Sequence, residues 1–63
     1  MWIAVYMTQN PDCARNMRAK MEEREILVMF RTIKNGDIAG EECFELLVPS
    51  AELKDALDII IAE

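Results

Sequence analysis

Cys13 and Cys43 are the most reactive side chains in this chain of 63 residues, and neither has the neighbours that thiol chemistry requires. Cys13 is expected at the third position of a helix, where redox-active thiols often work. It also belongs to an apolar stripe with Met17 and Met21, and no histidine is present to act as its base. A small buried hydrophobe is the expectation for Cys13, and equally for Cys43 at the start of a strand. Two thiols without histidine are too few for a closed zinc site. The acidic group Asp37, Glu41, Glu42 and Glu45 lacks the Asp/Asn spacing and the bidentate Glu of a calcium loop, and is expected to be a solvated connection. Ser50 stands where a helix cap belongs. With no paired acid, base or nucleophile, the residues imply neither an enzyme nor a cofactor or metal.

A binding role has two candidate locations. One is the turn Thr8-Gln9-Asn10, where backbone N–H groups at a helix start could hold a small anion or metabolite. The other is a sheet face, which depends on the elements. Trp2 to Thr8 alternates two apolar sets, Ile3/Val5/Met7 and Trp2/Ala4/Tyr6, as a strand does when neither face is fully wet. Asn10 as cap, Pro11 at the first helical position and Asp12 in the first turn then start a helix that runs to about Arg24. Its apolar stripe is Cys13, Ala14, Met17 and Met21.

A second strand runs from Ile26 to about Lys34, with Ile26/Val28/Phe30 on one side and Leu27/Met29/Arg31/Ile33 on the other. A third, Cys43 to Val48, divides into Phe44/Leu46/Val48 and Cys43/Glu45/Leu47, and Pro49 ends it. Ser50 then caps a helix of about 51–62 that presents Leu53, Ala56, Leu57, Ile60 and Ile61. Asn35-Gly36 has the form of a two-residue hairpin turn. That turn would pair Lys34 with Asp37 and set Phe30 against Glu41, inverting one strand relative to the other. Keeping Phe30 with Phe44 and Val28 with Leu46 needs the other parity, so either a bulge at Gly40 restores it or 35–42 is a longer loop, and the loop is preferred.

Strand, helix, two strands, helix is the split βαβ order. A right-handed crossover places the third strand between the first two. The expected fold is therefore α+β, one βαββα domain over 1–63: a three-stranded antiparallel sheet in order 1-3-2 with both helices on one face. Phe44 and Leu46 should be among its most buried residues. The other face would display Trp2, Ala4, Tyr6, Leu27, Met29, Ile33 and Leu47 around one charge pair, Arg31 and Glu45. A domain this small buries only about 60% of its unfolded surface, and a monomer rarely leaves such a patch wet. Trp2, Tyr6, Leu27, Met29, Arg31, Glu45 and Leu47 are thus the expected interface. A two-fold homodimer, with Arg31 of one copy meeting Glu45 of the other, or a protein partner would cover it.

Net charge is −5, which argues against nucleic acid. Residues 1–34 carry six basic and four acidic side chains, and residues 35–63 carry one basic and eight acidic. Arg15 and Arg18 on the first helix are therefore expected to face Asp55 and Asp58 on the second, although the same imbalance could steer a charged partner. No apolar run is long enough for a membrane span, and two cysteines without a leader suggest a reducing, cytoplasmic setting.

The segments Ala4-Val5-Tyr6-Met7, Ala14…Met17…Met21, Glu25-Ile26-Leu27-Val28 and above all Phe44-Glu45-Leu46-Leu47-Val48-Pro49-Ser50-Ala51-Glu52-Leu53…Ala56…Ile59-Ile60 resemble the small prokaryotic signal-transducing domains. The resemblance covers nearly the whole chain and implies a βαββα unit of ferredoxin-like or PII-like form, with no catalytic residues. Some short members carry the label glutamate decarboxylase, which this chain cannot support: no lysine sits in a cofactor-binding framework. Glu22-Glu23-Arg24-Glu25 departs from the family, whose members tend to have a glycine turn there.

Overall fold

In a computed structural model, which describes residues 1–34 and 42–62, the elements run β1 (Trp2–Thr8), α1 (Pro11–Glu23), β2 (Met29–Lys34), β3 (Glu42–Pro49), a 3₁₀ turn (Ser50–Glu52) and α2 (Leu53–Ile61). The sheet is antiparallel in order β1-β3-β2. Met17 and Met21 of α1 and Ala56 and Ile59 of α2 form one core with Leu46 and Val48 of β3, so both helices cover the same face. This is an α+β fold with the ferredoxin-like split βαβ arrangement. The choice between a bulged hairpin and a loop after Lys34 lies outside the described residues.

Asn10 begins α1 as expected: its side-chain oxygen accepts from the N–H groups of Asp12 (2.9 Å) and Cys13 (3.4 Å), and Pro11 occupies the first helical position. The other end follows a rule that the residues there do not announce. The Ile26 N–H donates to the Met21 carbonyl (3.0 Å) and the Glu25 N–H to that of Glu22 (2.9 Å), a Schellman closure with Glu25 in the left-handed region at φ 60°. A residue with a Cβ pays for that conformation where glycine would not. The closure drops Ile26 into the core beside Met21, so β2 starts at Met29 and not at Ile26.

β1 holds the main departure from expectation. Ala4 pairs with Leu47 but Tyr6 pairs with Leu46, leaving Val5 as the extra residue of a β-bulge. Beyond the bulge the faces exchange. Tyr6 joins Val5 against the core, and Met7, expected beneath the helices, stands opposite Glu45 on the uncovered side and is 58% exposed.

Between β2 and β3 the parity is as expected and the offset is not. Phe30 opposes Leu46 and Thr32 opposes Phe44, two residues from the pairing of Phe30 with Phe44. The two rings still meet diagonally, with centroids 5.8 Å apart. Being central, β3 is buried from Glu45 to Val48 on both faces. Leu46 and Val48 are fully enclosed, while Phe44, nearer the end of the sheet, is only half-buried.

Three further expectations change. Ser50 does not cap α2: it opens the 3₁₀ turn, its N–H donates to the Met1 carbonyl (2.9 Å), and neither that turn nor α2 has a side-chain cap bond. With α2 starting at Leu53, its buried positions are Ala56 and Ile59, and Leu57 and Ile61 turn outward. Arg15 and Arg18 pair within their own helix, with Asp12 (3.6 Å) and Glu22 (3.7 Å), and the Arg18 guanidinium also lies over the Phe30 ring at 5.0 Å.

Two substitutions test these assignments by urea titration. Leu46→Ala should cost about 2–5 kcal/mol, a large part of the stability of a domain this size. Glu25→Gly should stabilise by about 1 kcal/mol by relieving the left-handed position; a loss instead would show that the Glu25 conformation is not strained.

Candidate functional site

The uncovered sheet face is built from alternate residues of all three strands. Trp2, Ala4 and Met7 come from β1, Glu45 and Leu47 from β3, and Met29, Arg31 and Ile33 from β2; Leu27, expected on this face, precedes β2 and lies outside the ladder. Trp2 is 43% exposed and Leu27 60%, and Met29 and Ile33 are exposed as well. Glu45 and Leu47 have the expected orientation but lie in the centre, where the flanking strands already bury them. Tyr6 leaves the face, because the Val5 bulge turns it under the helices.

Arg31 and Glu45 face each other across the β2–β3 ladder in the same chain. The Arg31 Nε donates to Glu45 Oε1 at 3.1 Å, and Nη2 donates to the same oxygen. The exchange between two copies expected from the sequence is therefore unnecessary, since Glu45 is satisfied within its own sheet. The carboxylate side chain is 7% exposed and the arginine 54%. A charge held in this way is neutralised without drying its partner, and the centre of the face carries no net charge.

The Thr8-Gln9-Asn10 turn is already satisfied internally. The Asn10 N–H donates to Thr8 Oγ1 (3.1 Å), the Asp12 and Cys13 N–H groups go to the Asn10 side chain, and that of Ala14 goes to the Asn10 carbonyl (3.2 Å). Pro11 has no N–H to give, and Asp12 adds a negative charge. The donors that an anion would need are spent on the cap.

Two hollows open on the helical layer. One, of about 180 Å³, is lined by Arg24, Ile26, Asp55 and Asp58. Arg24, and not Arg15 or Arg18, is the basic residue beside that acidic pair. The other, of about 260 Å³, lies between α1 and α2 and is lined by Tyr6, Cys13, Asn16, Met17, Lys20 and Ile60. Cys13, expected to be buried, is exposed at its rim, because the stripe that α1 buries is Ala14, Met17 and Met21. Cys43 is half-buried and opposes Ile33 on the other side of the sheet, so the sheet separates the two thiols. Among the described residues no group of three His, Cys, Asp or Glu is placed to hold a metal ion, and no helix is long and apolar enough to cross a membrane.

Comparison with protein-family models, with curated proteins and with solved structures found no match to this chain.

The ion pair gives a direct test of how the face is built. Arg31→Met should destabilise by about 1–3 kcal/mol, because it leaves a buried carboxylate without a donor. Adding Glu45→Leu should recover most of that loss, since an apolar pair of similar volume avoids the desolvation cost. A double-mutant cycle by thermal or urea unfolding measures both, and strictly additive losses would show that the pair is not coupled.

Proposed function

We propose that this chain is a small non-enzymatic regulatory module that acts by docking a protein, in the first instance a second copy of itself, onto its uncovered sheet face. The observation that carries this is the gathering of Trp2, Met7, Met29 and Ile33, all exposed, on one side of the sheet around a neutralised centre. Trp, Met and Arg are the residues that protein interfaces favour.

The edges of the sheet point the same way. β1 is interrupted by the bulge, and β2, whose Arg31 is paired with Glu45, ends in Lys34 as an edge cation. Bulges and edge cations are the usual guards against strand-to-strand association. With its edges guarded and its face apolar, the sheet is suited to face-on contact. Three strands of about seven residues outline a planar footprint of roughly 330 Å², at ~3.3 Å per residue and ~4.8 Å between strands. A standard interface takes about 800 Å² per partner, so the association is weak and reversible, as suits a regulator.

The resemblance to small signal-transducing domains supports a regulatory role, and two thiols separated by the sheet support the cytoplasm as its setting. A net charge of −5 counts against nucleic acid as the partner. An anion sensor at Thr8-Gln9-Asn10 is the weaker alternative, because Asn10 already takes the helix-start donors.

Sedimentation from ~10 μM to ~1 mM, the range in which an interface below standard size associates, should show concentration-dependent dimerisation. Added salt should strengthen it by screening repulsion between two acidic copies. Trp2→Glu should abolish it while leaving the thermal unfolding of the helix-covered core almost unchanged. A dimer that survives Trp2→Glu would place the contact elsewhere; a monomer throughout, with water-exposed Trp2 emission, would exclude the second copy.

A further inference from the structure

The five methionines of the chain fall into two groups. Met17 and Met21 are sealed in the helix-covered core, at 6% and 0% exposure. Met1, Met7 and Met29 are open to solvent, and two of these stand on the uncovered sheet face. Met7 lies opposite Glu45 on one side of β3, and Met29 lies opposite Leu47 on the other. Thioethers therefore flank the central strand from both edge strands, on the surface assigned to docking. The Val5 bulge is what makes the pair: in an unbroken β1, Tyr6 would stand on this face and Met7 would lie beneath the helices.

Methionine suits such a surface because its side chain is flexible, apolar and polarisable. The same sulfur reacts with hydroperoxides. Its lone pair takes the terminal oxygen: an S–O bond forms, the O–O bond breaks, and the proton of the transferred oxygen passes to the departing one. Hydrogen peroxide leaves as water; the sulfur loses two electrons and the peroxide gains them. The product, methionine sulfoxide, is polar where the thioether was apolar, and it disrupts methionine-rich contacts. Two thiols reverse the step through a sulfoxide reductase, leaving the thioether, one water and a disulfide.

We propose that Met7 and Met29 form a paired oxidation site through which a hydroperoxide releases whatever is docked on the uncovered face. The inference rests on the docking reading above and adds its regulation. A sulfoxide oxygen brought into an apolar contact loses its water and gains no assured donor, so the oxidised face docks weakly. The fold outlasts the change, because the two core methionines are enclosed while the two on the face are exposed.

The experiment treats the full chain with hydrogen peroxide, locates the added oxygen by peptide mass, and compares treated and untreated chain by sedimentation. Met7 and Met29 should take up oxygen well before Met17 and Met21. Oxidation of both should raise the dissociation constant of the dimer about tenfold or more, as burying an unpaired polar group does. Thermal unfolding should stay close to that of the untreated chain, and a sulfoxide reductase with dithiothreitol should restore the dimer. Met7→Leu combined with Met29→Leu keeps an apolar face of similar volume. That variant should dimerise and ignore peroxide, although Met1 and Cys13 remain exposed to it. A dimer unchanged after both residues carry oxygen would overturn this inference and leave the docking reading standing. So would peroxide sensitivity that persists in the leucine variant, dimerisation that the reductase does not restore, or a loss of dimer that accompanies unfolding. An untreated chain that stays monomeric from ~10 μM to ~1 mM would overturn the docking reading and this inference with it.

Discussion

The pairing of β1 with β3 is the constraint on which the rest of the molecule depends. β3 runs through the middle of the sheet and is buried on both faces from Glu45 to Val48, so each neighbour must fit a surface that is already fixed. β2 does so without interruption. β1 does so only by holding one residue out of register at Val5. Ile3 stays against Val48 at one end of the strand and Thr8 stays against Phe44 at the other. Without the extra residue, every side chain on one half of β1 would change face.

That displacement allots apolar surface to two sides of a domain too small to enclose it all. Tyr6 completes the helix-covered core and Met7 joins Trp2 on the uncovered face. The centre of that face is held by Arg31 and Glu45, whose bond is made inside the chain. An unpaired carboxylate there would oppose any apolar partner. A fully apolar centre would invite indiscriminate association. A satisfied ion pair avoids the first and limits the second, because a partner must tolerate the exposed side of the guanidinium.

The sequence made some of this visible and hid the rest for physical reasons. The parity of β2 against β3 was legible because the alternative set Phe30 against a glutamate. The start of α1 was legible because Asn10-Pro11-Asp12 can do little else. The bulge was not, since both alternating sets of β1 are apolar and a slip of Tyr6 and Met7 leaves the pattern looking the same. Leu57, Ile59, Ile60 and Ile61 hid the orientation of α2 similarly: four apolar residues within five positions allow more than one buried stripe, and Ala56 with Ile59 prevailed. Glu25 has no local preference for φ 60°; its conformation is set by the closure that seats Ile26 beside Met21. Of the candidate sites, the face was legible apart from the exchange of Tyr6 for Met7. The hollow between α1 and α2 was not, because its lining depends on where the bulge sends Tyr6.

The α1–β2 connection shows how the helical layer is tied to this sheet. After the turn at Glu25, the Leu27 N–H donates to Glu52 Oε2 at 2.7 Å, joining the approach to β2 to the start of α2. Glu52 lies in the 3₁₀ turn that directly follows β3, so one carboxylate links the segments leading into an edge strand and out of the central one. The Ser50 N–H makes the corresponding link to Met1 on the β1 side. Together these bonds fix the beginning of α2 against both edges of the sheet at one end of the molecule. The hollow at Tyr6 and Ile60 lies toward the other end of α2, beyond both links.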